Sequence, residues 1–201
     1  MNLLEELEKK FNTISQQSEK YLSDFLNEAL PLALDRVISK GALYNIRPYE
    51  IERAGFKKGK KLNKLPANIN NTHVYHLNGN GVLVFFEIYG QSANIVSKEF
   101  CFYGDDRLER LHFTSIGDLR NISVSLFEGE MMVKDYNWGE YGCSISDYIY
   151  SDARLEKIMV QQREWADESF SEFEVIFTYA GEDLKRILNV FPNGYQEQRY
   201  P

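Results

Sequence analysis

Between residues 3 and 30 the apolar side chains fall three and four apart: Leu3, Leu4, Leu7, Phe11, Ile14, Tyr21, Leu22, Phe25, Leu26, Ala29 and Leu30. That spacing puts them on one face of a helix. Pro31 interrupts the run, and Leu32 to Lys40 is expected to form a further short helix closed by Gly41. The helical segment is therefore drawn as residues 1–41. A polar stretch over 53–72 reads as a solvated basic loop, with Lys57, Lys58, Lys60, Lys61 and Lys64 set among Gly55, Gly59 and Pro66. From His73 the texture changes to short apolar and aromatic runs separated by tight turns, and this pattern continues to residue 191.

Five hairpins can be read from those turns. They fall at Asn78–Gly81, Gly104–Arg107, Glu128–Gly129, Ser151–Arg154 and Ala180–Asp183, where Gly, Asn and Asp tolerate the positive φ angles a tight turn requires. Three of them share a pattern: Tyr103-GDDR-Leu108, Tyr150-SDAR-Leu155 and Tyr179-AGED-Leu184, each followed by two charged residues and an aliphatic. A four-residue turn makes each Tyr and Leu a cross-strand pair, which helps to fix register. Residues 155–162 and 184–190 also fit helical spacing, but kinship with the second hairpin favours strand. Val82 to Phe86, apolar on successive residues, is expected to be an internal strand covered on both faces. The fold class is α+β: one domain over 1–201, an N-terminal helical segment packed on an antiparallel β-meander of successive hairpins.

Composition agrees with a large core, since 43% of residues are hydrophobic, and the 13 Tyr and 13 Phe favour strands. The acidic start MNLLEELEKKF does not resemble a signal peptide, and no apolar run is long enough to span a membrane. Cys101 and Cys143 are too few for a disulfide framework and are expected as packed thiols. A cytoplasmic location follows as an expectation. Charge is uneven, a net of +2 over 1–100 and −9 over 101–201, giving the overall −7. An acidic half repels nucleic-acid phosphates and suits a basic protein partner.

The Tyr-turn-Leu hairpins resemble the Tyr-Asp type hairpins of Rhs-like repeats. Over residues 73–190 the chain looks like the small bacterial immunity proteins of polymorphic and contact-dependent toxin systems. That resemblance implies a non-enzymatic protein that binds one cognate toxin and occludes its active site. A basic toxin, a nuclease among them, would suit the acidic half. Two other classes stay open: a structural or adaptor domain, and a small-ligand binder whose sheet curls round a pocket.

The residues give no motif for catalysis. His73 and His76 lie three apart in an expected strand, so they point to opposite faces and do not make a metal site. There is no Gly-x-Ser-x-Gly elbow, and Asn78-Gly79-Asn80-Gly81 leads into a strand where a phosphate-binding loop would lead into a helix. No cofactor is expected. The best candidate partner-binding surface is the stretch from Glu128 to Tyr141, where Tyr136, Trp138 and Tyr141 alternate with Glu130, Asp135 and Glu140. Aromatic rings of this kind dominate binding hot spots, and flanking acids steer a basic partner. Glu164 to Phe173 is a second acidic and aromatic stretch that could extend it.

Overall fold

The computed structural model describes residues 2–164 and 169–201. Two amphipathic helices, α1 (Leu3–Ser15) and α2 (Ser18–Ala29), lead into strand β1 (Asp35–Lys40), a one-turn helix α3 (Glu50–Arg53) and strand β2 (Lys60–Leu62). A continuous run of strands follows: β3 (Thr72–Leu77), β4 (Leu83–Tyr89), β5 (Val96–Tyr103), β6 (Arg107–Phe113), β7 (Leu119–Glu128) and β8 (Met131–Gly139). It continues through β9 (Gly142–Ser151), β10 (Arg154–Glu164), β11 (Ser171–Ala180), β12 (Asp183–Val190) and β13 (Gln196–Tyr200). All thirteen strands join one antiparallel sheet in the order β13 to β3, then β1, then β2. From β3 onward each strand pairs with the next in sequence, so the chain is a meander. All five hairpins read from the turns are present, and 155–162 and 184–190 are strand.

Two sequence expectations are corrected. Leu32 to Lys40 is not a helix: residues 30–32 form a single 3-10 turn and β1 is a strand between β3 and β2, with Val37 opposite Tyr75 and Ile38 opposite both Val74 and Leu62. The β-branched pair Val37-Ile38 suits the pleated sheet, and pairing on both sides outweighs a helical spacing carried by few residues. The basic stretch 53–72 is not wholly loop, because Lys60 and Lys61 lie in β2 on the free edge of the sheet. Lysines there discourage another chain from adding to that edge.

The helices cover one face of the sheet. Leu7, Ile14 and Ala29 pack with Phe85, Phe100, Leu111, Phe113, Ile122 and Val124 in the largest core cluster. Phe25 from α2 lies among three sheet rings, 5.8 Å from Phe100, 5.3 Å from Phe102 and 6.2 Å from Phe113. Burying each such side chain contributes about 1.5–3 kcal/mol. Alternation explains the arrangement: in β7, Ile122 and Val124 face the helices while Ser123 and Ser125 face the other way. β4 is internal, with Phe85 under the helices and Phe86 in the cluster on the opposite face, but Val82, expected as its first residue, lies in the preceding turn and is 39% exposed.

The opposite face wraps around the segment between β1 and β2. Arg110 on β6 reaches Glu50 at 3.4 Å, and Arg199 Nε on β13 donates to the Arg53 carbonyl at 2.9 Å. In a flat sheet those strands would stand roughly 34 Å apart, at about 4.8 Å per strand. Glu50 and Arg53 are one helical turn apart, about 4.5 Å of rise. The sheet must therefore roll around α3. Tyr49, just before α3, packs on Phe177 at 5.3 Å and Tyr179 at 6.4 Å from the far strands. The neck of this inner segment needs glycine, because a Cβ on Gly59 would lie 2.2 Å from the Gly41 carbonyl oxygen.

Candidate functional site

Rolling the sheet puts polar side chains where a core would otherwise be. Along the inner face, β5 to β8 contribute Glu99, Arg110, Ser125 and Asp135, and the inner segment contributes Arg47 and Glu50. Asp135 is 4% exposed, accepts a 2.7 Å hydrogen bond from Ser125 Oγ and lies 2.9 Å from Arg47 Nε. Arg47 also reaches Glu50 at 2.9 Å, and Arg110 bridges Glu50 to Glu99, 3.0 Å away. Burial opposes the charge on Arg47, but Asp135 and Glu50 more than offset it and hold the guanidinium firmly protonated. Burial also pushes the Glu99 carboxyl up, to about 8, with Glu50 adding to the effect and Arg47 opposing it.

This network forms the floor of a cleft of about 380 Å³ between α3 and strands β8 to β13. Three guanidiniums line it, Arg47, Arg53 and Arg199, together with Asn137, Ser144, Ser146, Tyr148, Gln162 and Asn189. Arg53 Nη1 donates to the Tyr148 hydroxyl at 3.4 Å. On the other side of the inner segment lies a more apolar cavity of about 190 Å³, walled by Tyr75, Phe86, Ile88 and Ile51 and reached by His73, Glu99 and Arg110. Burial lowers the His73 pKa to about 4. Among the described residues no group of three or more His, Cys, Asp and Glu side chains could hold a metal ion. His73 and His76 do point to opposite faces: His73 lies beside Tyr75, whereas His76 stacks on Phe85 with centroids 4.0 Å apart. Cys101 and Cys143 are free and buried.

The stretch from Glu128 to Tyr141 is not one surface. It is β8 with its two flanking turns, so consecutive residues face opposite sides. Asp135 points inward to Arg47 and is removed from solvent. Tyr136 and Trp138 point outward and are half-buried in the cluster under α1. Glu130 is exposed at one end of β8, while Glu140 and Tyr141 are exposed in the turn at the other end. In the second stretch, residues 165–168 lie outside the described residues, Glu164 and Glu172 are exposed, and Phe173 stacks on Phe191 at 5.3 Å.

A different surface emerges from the meander itself. Alternate hairpins of a meander end on the same rim, so the turns after β5, β7, β9 and β11 lie side by side. They carry Asp105 and Asp106, Glu128 and Glu130, Asp152, and Glu182 and Asp183, all exposed. None of these carboxylates forms an ion pair among the described residues; Arg107 turns to Glu109, and Arg154 lies over the Tyr179 ring. Tyr103, 53% exposed, and Met131, 38% exposed, add apolar area on the same rim. In the described turns of the opposite rim only Asp118 and Glu140 are acidic. The sequence held this signal in the Tyr-turn-Leu repeat, whose turn residues are the acidic ones; it became a surface only once the strand order was known.

No protein-family model matches the chain, and a search of curated proteins found no match. Among the described residues no helix is long and apolar enough to cross a membrane.

Proposed function

We propose that this protein acts by binding and not by catalysis, as an immunity-type inhibitor that docks its acidic rim on a basic cognate toxin and occludes the toxin's active site. The observation that carries the reading is the row of unpaired carboxylates on four neighbouring hairpin turns. Carboxylates without an ion-pair partner among the described residues are free to meet lysines and arginines of another chain, and clustering on one rim gives a field that orients the encounter. Tyr103 and Met131 supply the apolar anchors such an interface needs at its centre. A toxin acting on nucleic acid must carry a basic active-site face, so a nuclease suits the rim. The resemblance of residues 73–190 to immunity proteins points the same way.

The test is co-expression with the toxin domain encoded beside this gene. Host cells are expected to survive with the intact protein and to die when the rim carboxylates are replaced by their amides. Survival that is equal with both proteins, or a gene with no toxin neighbour, contradicts the reading.

A further inference from the structure

We infer that the cleft inside the rolled sheet is a binding site for a small molecule bearing a terminal oxyanion, a phosphate or a carboxylate, with Arg53 as its primary contact. Charge assignment around the cleft leads there. Asp135 and Glu50 are committed to Arg47 and Arg110. Arg199 is held by Glu197 at 2.7 Å and by the Arg53 carbonyl. Arg53 is left with a phenol and no carboxylate among the described residues.

The strands facing Arg53 carry donors among the apolar side chains of Val160, Phe173 and Val175. Ser144, Ser146 and Gln162 line the cleft and spend no side-chain hydrogen bond elsewhere among the described residues, and Tyr148 adds a hydroxyl. A planar guanidinium opposite hydroxyls and an amide fits the fork geometry of phosphate and carboxylate alike. Enclosure by the sheet strengthens each of those charge-assisted bonds over its value in bulk water. The volume of about 380 Å³ lies within the range of small-molecule pockets and is too small for a protein segment with tertiary structure. A second cleft of about 320 Å³ shares Asn137, Ser144 and Gln162 with the first and runs out to Arg120 at the rim. It provides an entry path whose mouth carries both signs, Arg120 and Arg163 beside Glu140 and Glu164. This site is independent of the acidic rim and needs no toxin to be tested.

The experiment titrates inorganic phosphate and, separately, propionate into the full chain at constant ionic strength set with chloride, followed by calorimetry. Saturable single-site binding of at least one probe is expected, and the probe that binds tells phosphate from carboxylate. Arg53→Gln should weaken that binding about tenfold or more, and Arg120→Gln should weaken it less. Far-UV circular dichroism checks that each variant folds; if Arg53→Gln does not, Ser146→Ala combined with Gln162→Ala must weaken binding from the opposite wall. Absence of saturable binding of both probes below about 10 mM, a range of very weak affinity, overturns the proposal. So does binding by the folded Arg53→Gln variant equal to that of the parent.

Discussion

Arg47 and Asp135 show how a single pairing controls this interior. Asp135 is removed from solvent and Arg47 is half-buried, and they meet at 2.9 Å, with Glu50 at the same distance on the other side of the guanidinium. Arg47→Met should therefore destabilise the protein by about 3–5 kcal/mol, the cost of leaving a buried charge without its partner. Adding Asp135→Leu to it should recover most of that loss, because the second change removes the orphaned charge. Urea denaturation of the two variants checks this. Asp135 read as a surface acid because its neighbours Lys134 and Tyr136 look like an exposed strand; nothing local to it reveals an arginine 88 positions earlier.

Two histidines, His73 buried and His112 half-buried, set an acid limit. Burial holds His73 at about 4, and burial with the Arg120 charge holds His112 at about 4, against 6.5 for a free imidazole. The folded state therefore binds fewer protons than the unfolded chain between those values. Its stability is fully present above about pH 6.5 and falls as pH drops toward 4, by roughly 3 kcal/mol per histidine at most. His73→Phe should flatten this fall, seen as a smaller loss of unfolding free energy between pH 7 and 4.5. An unchanged slope would mean that His73 is protonated at little cost in the fold.

At the level of elements, the Tyr-turn-Leu unit was the most legible part of the sequence. Its three cross-strand pairs form: Tyr103 opposite Leu108, Tyr150 opposite Leu155, and Tyr179 opposite Leu184. The structure adds a fourth member, Phe127 opposite Met132, so the aromatic positions recur at intervals of 24, 23 and 29 residues. That unit escaped notice because Phe and Met replace Tyr and Leu, although the four-residue turn is kept. The hydroxyls stitch successive strands together, with Tyr150 donating to the Met132 carbonyl at 2.9 Å and Tyr179 to the Leu155 carbonyl at 2.8 Å. Tyr179→Phe should cost about 1 kcal/mol, and Leu155→Ala, at 3% exposure, about 2–5 kcal/mol.

Elements defined by contacts far along the chain were less legible. β1 depends on β3 and β2 for its pairing, so a window of ten residues around it could not separate strand from helix. Trp138 read as a surface anchor for the same reason, since α1, which half-buries it, is more than a hundred residues away. Trp138→Ala should lower stability by roughly 3 kcal/mol, near the low end for truncating a packed Trp. Normal stability in that variant would return Trp138 to the list of interface candidates.

For the whole molecule, an unbroken meander has two consequences that no single element shows. Thirteen strands in one sheet are more than an open sheet usually holds without curling, and here the curl closes on the segment between β1 and β2 and creates the polar cleft. Strict alternation also sorts the turns onto two rims, which sets four acidic turns side by side on one of them. The net charge was readable from composition, but the alignment of these four acidic turns required the strand order.

Stopped-flow association at low and high salt with the toxin domain that an immunity function requires beside this gene separates the acidic rim from every other contact face. One protein is the parent, and the other has Asp105, Asp106, Glu128, Glu130, Asp152, Glu182 and Asp183 replaced by Asn or Gln. These side chains are exposed and form no ion pair among the described residues, so the variant should keep its fold, with each change within about 0.5 kcal/mol. The parent rate should fall steeply with salt, and the variant should be at least about tenfold slower at low salt and nearly indifferent to it. Equal rates and equal salt dependence in the two proteins would contradict it.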